Sequence, residues 1–301
     1  MNMKQLQYVL LLADSGSFSA AAEELGISQP SLSQYVKKIE NQIGMPLFER
    51  INGDVRLTDA GRIYVEYGRR ILDMEHQMET RFSDISENKT GSVIIGTSPY
   101  RSAGMMPEIA KQFRQKYPGM HLIIEEMVSS ELISRMQKGA FDFCLTMLPV
   151  DEKFFSYEKI TEEEMILAVP TGYDELKTII VPDRKYPAID VMDINGADFV
   201  MITESQVMQQ ALNNLCDKYD LNLKKAVVVK ALEAQINMVR SGIGMAIVPS
   251  GIERFCNERE VRFYSFIQDL PRREVVAMWK KDRELPEVVK DLIMTMKQIK
   301  W

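Results

Sequence analysis

Residues 28 to 38 carry the densest set of side chains able to do recognition chemistry: Ser28, Gln29, Pro30, Ser31, Ser33, Gln34, Lys37 and Lys38, interleaved with Leu32, Val36 and Ile39. Hydroxyls and carboxamides hydrogen-bond base edges or phosphate oxygens, while lysines neutralise phosphates. The three apolar residues are spaced by four and three, so they form the buried stripe of a helix and leave the polar set on its outer face. Ser28 suits the cap of that helix, and Pro30 is tolerated in its first turn. Two further cations, Arg50 and Arg56, flank the turn-forming run Asn52-Gly53-Asp54, where a hairpin base brings them to phosphate or minor groove.

These residues need elements to hold them. Leu6, Val9, Leu10 and Ala13 recur at helical spacing, and Asp14-Ser15-Gly16 then breaks the helix. A second helix runs from Phe18 to Leu25, its Ala20-Ala21-Ala22 run admitting a close neighbour. Gly26 allows the sharp turn into the third helix. The spacing Ala22-x3-Gly26-x5-Leu32 is that of a helix-turn-helix. The segment from Ile43 to Arg50 and its return over Val55 to Thr58 make a hairpin, or wing.

Composition narrows the function. Of 301 residues, 46% are apolar and 27% charged, as in globular chains, and the length calls for two or three modules. The net charge of -6 argues against nucleic-acid binding by bulk electrostatics. In residues 1 to 60, Lys4, Lys37, Lys38, Arg50 and Arg56 face seven acidic residues, so a DNA reading rests on where charges sit. Cys144, Cys216 and Cys256 are widely spaced and far from His76 and His121, which predicts neither a disulfide framework nor a metal site. The chain lacks a Gly-x-Ser-x-Gly elbow, a P-loop and a His-Glu-x-x-His motif, so no enzyme is expected and no cofactor. The Glu125-Glu126 and Glu162-Glu163-Glu164 runs read as solvated strand or loop edges. The first apolar run, Tyr8 to Ala13, is too short for a signal peptide or span, which predicts a cytoplasmic protein with no membrane partner.

From Thr58 onward, Ile63, Tyr67, Ile71, Met74, Met78, Phe82 and Ile85 repeat about every 3.5 residues along one helix, a seam that a partner helix or the chain's own domain must cover. Asn88-Lys89-Thr90-Gly91 reads as a hinge. Beyond it, strand-like runs at Val93 to Gly96, Leu122 to Met127 and Phe141 to Met147 alternate with helical patterns at Pro107 to Tyr117 and Ser130 to Lys138. A similar set spans Phe199 to Pro249. Two α/β lobes follow, with ligand expected in the cleft at the carboxyl ends of their strands. Gly242 and Gly244 read as turn glycines, because their run lacks the dinucleotide-binding spacing.

The segments Phe18-x-Ala20-Ala21-Ala22-x-x-Leu25, Ser28-Gln29-Pro30-Ser31-Leu32-Ser33, Ile39-Glu40, Leu47-Phe48-Glu49-Arg50 and Leu57-Thr58-x-Ala60-Gly61 closely resemble those of LysR-type transcriptional regulators. Gly139-x-x-Asp142 and Gly242-x-Gly244-Met245-Ala246-x-x-Pro249 extend the resemblance to the C-terminus. It implies an α/β chain: a winged helix-turn-helix DNA-binding domain at 1–58, a linker dimerisation helix and hinge at 59–90, and an effector-binding domain at 91–301 similar to periplasmic solute-binding proteins. Lobe one comprises 92–162 plus 270–301, and lobe two 163–269. Matching positions imply that Thr97, Ser98, Ser129, Thr146 and Thr203 line the cleft, with Arg101 nearby, a set suited to a small anionic metabolite. The implied partners are double-stranded promoter or operator DNA, a small-molecule effector, a second copy in a homodimer or homotetramer, and RNA polymerase. Two positions depart from the family pattern: Gln34 and Gly53 stand where basic residues are usual. The rival reading is a solute-binding protein with no regulatory DNA role, which residues 91–301 alone would fit.

Overall fold

The computed structural model describes residues 2–51, 54–85, 90–173, 176–182, 184–203, 207–256, 259–270 and 272–299. Two compact units emerge, Met1–Asn88 with Lys138–Ala140, and Lys89–Gln137 with Phe141–Trp301.

In the first unit, α1 (Met3–Ser15) opens on a reciprocal cap between Asn2 and Gln5, and α2 (Phe18–Glu24) is capped by Ser17. Ala21 and Ala22 pack with Tyr8, Leu12, Leu32 and Val36, as small side chains that let helices approach. Gly26, at φ +64, makes the left-handed turn that a residue with a Cβ adopts at a cost. The helix α3 (Gln29–Ile43) then starts at Ser28, whose hydroxyl accepts from the Ser31 N–H. The wing is an antiparallel pair, β1 (Phe48–Ile51) and β2 (Asp54–Leu57). Residues 52 and 53, and with them the Gly53 departure, lie outside the described residues.

Two contacts fix the wing. The Glu40 carboxylate accepts from the N–H groups of Leu47 at 2.8 Å and Phe48 at 3.2 Å. Thr58 donates to the Pro46 carbonyl at 2.7 Å and accepts from the Gly61 N–H at 3.0 Å, capping α4 (Asp59–Ile85). A Cβ on Gly61 would stand 2.0 Å from the Leu47 carbonyl oxygen, so only glycine permits this approach. One face of α4 enters the core through Val65, beside Val9, Leu10, Ile39 and Leu47. On the seam side Ile63, Tyr67, Met74, Met78 and Phe82 are each half or more exposed.

The second unit contains, in chain order, β3 (Gly91–Thr97), α5 (Pro99–Lys116), β4 (Met120–Glu126), α6 (Ser129–Gln137), β5 (Phe143–Met147), β6 (Phe155–Glu163), β7 (Met165–Pro170), β8 (Ala188–Ile189), β9 (Asp198–Ile202), α7 (Val207–Tyr219), β10 (Lys224–Val229), α8 (Leu232–Arg240), β11 (Ala246–Pro249), β12 (Val261–Phe266), β13 (Arg273–Lys280) and α9 (Glu287–Gln298). One sheet has the order β4-β3-β5-β13-β6; the others are β11-β7-β12-β8 and β10-β9. The parallel bridge Phe199 to Met245 joins β9 to the start of β11. The chain therefore leaves the first sheet once, at Glu164, and returns to it once, between β12 and β13.

One expectation changes and one gap is filled. The helix expected at Pro107 begins at Pro99, with Ser98 as its cap and Pro107 inside it; both prolines suit a first turn, and the hydroxyl before Pro99 decides the start. The stretch between Leu148 and Asp198, which periodicity left unassigned, supplies β6, β7 and β8. Residues 88 and 89 of the expected hinge lie outside the described residues. The first sheet's core joins Val93, Ile95, Ile109, Phe143, Leu145, Val289 and Leu292. Beneath it Arg283 bonds Asp142 at 2.8 Å and the Phe141 carbonyl at 2.7 Å, while Asp142 also accepts from the Ile94 N–H. Both charges are fully buried, so each depends on the other.

Candidate functional site

On α3 the buried stripe is Leu32, Val36 and Ile39, which turns Gln34, Lys37 and Lys38 outward and exposed. Ser28 and Pro30 are exposed at the helix start, and Gln29, Ser31 and Ser33 are partly so. The Ser28 and Ser31 hydroxyls lie 2.7 Å apart, and Ser28 is also the cap, so these two hold the first turn as well as facing outward. Tyr35, which the apolar spacing left unassigned, is exposed and meets Tyr8 edge to face at 5.2 Å. In the wing Arg56 is exposed and 3.9 Å from Asp54, a pairing too open to hold it. Arg50 stands in β1 opposite Val55; its side chain lies outside the described set.

Within the second unit a cavity of about 90 Å3 forms where strands end and helices begin. Met147 and Pro249 are the last residues of β5 and β11, and Met127 and Lys230 directly follow β4 and β10. The N-termini of α5, α6 and α8 line it through Ser98, Ser129 and Leu232. Each helix start carries N–H groups left over from the helix ladder and the positive end of its dipole. Ala231, the N-cap of α8, offers no side-chain acceptor to those groups.

Charge enters with Arg101, Glu163 and Arg273. Arg101 is 5% exposed and its Nη2 lies 3.1 Å from Glu163 Oε2. Glu163 and Arg273 face each other across β6 and β13. Arg101 Nε and Arg273 Nη2 have no protein partner. Burial, and next the nearby Arg101 guanidinium, pull the Arg273 pKa down to about 10. A second, smaller pocket of about 40 Å3 lies beside the same Arg101–Glu163 pair, against Tyr100, Arg254 and Phe255. It has room for a few water molecules.

The cleft residues implied by resemblance divide in two. Ser98, Arg101 and Ser129 line the cavity. Thr97, Thr146 and Thr203 do not: Thr97 and Thr146 are buried within their strands, and the Thr203 N–H donates to the Val229 carbonyl. Thr97 ends β3, Thr146 stands one residue before the end of β5 and Thr203 directly follows β9, so all three lie near the strand ends but outside the lining. Glu163 corrects the solvated reading of the acidic run, since it is 8% exposed and paired, while Glu162 is exposed. Arg273 and Glu163 lie 110 positions apart, and only the β6–β13 ladder makes them neighbours. No local signal marks such a pair; alternation along Glu162-Glu163-Glu164 was the one clue.

Among described residues no helix is long and apolar enough to cross a membrane. Residues 3–62 match the model of the bacterial regulatory helix-turn-helix protein, lysR family, and residues 86–299 match the LysR substrate binding domain. The chain is 26% identical over 293 residues to the uncharacterized HTH-type transcriptional regulator YcgK of Bacillus subtilis, covering 94% of this chain and 90% of that protein. It is 24% identical over 250 residues to the hydrogen peroxide-inducible genes activator of Escherichia coli O6:H1, covering 83% and 79%. Among solved structures, full-length CbnR complexed with its target DNA superposes with a TM-score of 0.66 at 18% identity, covering 99% of each chain.

Proposed function

The chain belongs to the LysR family of transcription regulators, and from that premise we propose that α3 reads promoter DNA while a small anion in the α/β cleft sets the outcome. The family match covers both ends of the chain, so a solute-binding protein without a DNA role is set aside. Gln29, Ser33 and Gln34 are the base-reading set, and Ser28, Pro30 and Ser31 form the helix end that approaches the groove. Lys37, Lys38, Arg50 and Arg56 are the phosphate set. Gln34, in place of the usual base, suits direct readout of adenine by a carboxamide.

The exposed seam on α4 supports pairing with a second copy. A two-fold dimer offers two recognition helices to two half-sites, and pairs of dimers extend this to four. We assign residues 1–58 to DNA binding, 59–90 to pairing and 91–301 to effector sensing. The chain acts as a regulator in the cytoplasm rather than as an enzyme.

The observation that carries the effector reading is a pair of guanidiniums in the wall of a partly open cleft: Arg101 bonds the buried carboxylate of Glu163, and Arg273 stands opposite Glu163 on the neighbouring strand. A buried charge without a counter-charge is costly, and a bound anion offsets that cost. By binding one arrangement of the effector unit better than another, the anion shifts the population of DNA-bound states. Footprinting the full chain on DNA upstream of its own gene tests the reading. The expected result is a roughly two-fold symmetric protected site, and salt-sensitive binding with no preferred site would overturn it.

A further inference from the structure

Where α1 meets α3, the first unit leaves a large aromatic residue nearly half in solvent. Tyr35 of α3 is 43% exposed, and its ring stands edge to face on Tyr8 of α1, with centroids 5.2 Å apart and planes at 79°. Tyr8 itself is 6% exposed and belongs to the core of Leu12, Leu32 and Val36, so the support beneath Tyr35 is fixed. On the same Tyr8 ring sits the Lys4 ammonium, 5.7 Å from the centroid. That contact orders the lysine stem but leaves its charge unneutralised. A cation and a phenol are thus anchored on one buried ring.

Along α3, Ser31, Tyr35 and Lys38 step by four and three, so they line one side of the helix, next to Gln34 and Lys37 on its outer face. The carboxylates of both helices are engaged elsewhere. Glu40, the one acid of α3, accepts from the Leu47 and Phe48 N–H groups of the wing. Asp14, the one acid of α1, lies in its last turn and pairs with Arg69 at 2.6 Å. Resting on the reading of α3 as the recognition helix, we propose that Tyr35 and Lys4 grip phosphates of one DNA strand along this side of α3, with Tyr8 as the positioning residue for both. The Tyr35 hydroxyl donates to a phosphate oxygen and Lys4 supplies charge. Such contacts fix the register of the protein on the duplex without reading a base. Because the Tyr8 ring already orders both side chains, less freedom is lost on binding. The grip returns part of the phosphate attraction given up at Gln34.

Gel retardation of the full chain across salt concentrations tests this on two duplexes, the fragment upstream of its own gene and a scrambled duplex of equal length. Tyr35→Phe keeps the ring on Tyr8 and removes only the hydroxyl. It should weaken binding to both duplexes by about three- to tenfold, with the salt slope and melting temperature unchanged. Lys4→Gln should weaken both and lower the salt slope by about one phosphate contact. Tyr8→Leu with Tyr35→Phe should bind as Tyr8→Leu alone does, a coupling that general damage would not produce, while Tyr8→Phe should bind as the parent. Parent-like binding by Tyr35→Phe overturns the proposal, and so does an unchanged salt slope for Lys4→Gln. A Tyr35→Phe loss on one duplex only makes the phenol a base contact, and a loss that accompanies a change of oligomeric state in gel filtration makes it a contact between copies; either result also overturns it. Lys37→Ala on the same duplexes separates the two readings. If it weakens binding while Tyr35→Phe and Lys4→Gln do not, the grip alone falls; if none of the three does, the reading of α3 falls with it.

Discussion

The outer face of α3 and the cavity of the second unit are both recognition surfaces, yet they are built in opposite ways. On α3 the useful groups are those that packing leaves out: Leu32, Val36 and Ile39 go inward, and Gln34, Lys37 and Lys38 remain in solvent. In the cavity the useful groups are charges drawn inward, with Arg101 and Glu163 almost wholly buried. A solvated face costs little to maintain and its loss is felt only by DNA. A buried charged cluster depends on everything that holds it in place, so damage there spreads to the fold.

The largest expected effect breaks the second surface from a distance. Arg283→Ala takes the guanidinium away from the fully buried Asp142 carboxylate and should cost about 3–5 kcal/mol. Both tryptophans, Trp279 and Trp301, lie in residues 91–301, so thermal melting followed by their fluorescence reports that unit. A melting temperature unchanged from that of the unaltered chain would mean that the pair holds nothing. The matching test on the first unit is Glu40→Ala. It removes the carboxylate that accepts the Leu47 and Phe48 N–H groups and should cost about 1.5–3 kcal/mol, with loss of DNA affinity through the wing. Gel retardation on a fixed fragment checks it, and DNA affinity equal to the parent's would release the wing from its tie to α3.

That contrast also explains what could be read from residue order. The helix-turn-helix is set by neighbours within one or two turns: Ser28 caps, Gly26 turns and the stripe repeats by three and four, all visible in a short window. Glu40 was visible only as part of a family motif, because its partners in the wing are seven and eight positions on. The cavity depends on pairs such as Arg101 with Glu163 and Glu163 with Arg273, brought together by β6 and β13 from distant parts of the chain. Local alternation shows that strands exist but not which strand lies beside which. Ser98 and Ser129 were implied by the family resemblance, and both stand at helix starts on the cavity wall. Thr97 and Thr146 had a hydroxyl at or near a strand end, but both are buried and neither lines the cavity.

Smaller effects sharpen the account of α3. Gln34→Ala should cost about 1–3 kcal/mol of discrimination between the preferred site and a site altered at one base pair, with nonspecific binding little changed. Lys37→Ala should instead weaken all sites alike and lower the salt slope of binding by about one phosphate contact. Affinity measured across salt concentrations on both DNAs separates these. If Gln34→Ala behaved as Lys37→Ala does, the carboxamide would be a backbone contact, and sequence readout would rest on Gln29 and Ser33.

The smallest expected effect is none at all, and it concerns the thiols. Peroxide is the reagent that tests whether a thiol, rather than the charged cavity, is the switch. Peroxide reacts with thiolate rather than thiol, so a sensing cysteine needs a lowered pKa and access. Cys144 lies buried in β5, and burial pushes its thiol up to about 12. Cys216 and Cys256 are also raised, each chiefly by burial. At neutral pH all three therefore stay protonated and slow to react. Footprints taken with and without peroxide should coincide, and alkylation of the native chain should be slow. A peroxide-dependent footprint that disappears on replacing one of these cysteines by serine would move the switch from the charged cavity to that thiol.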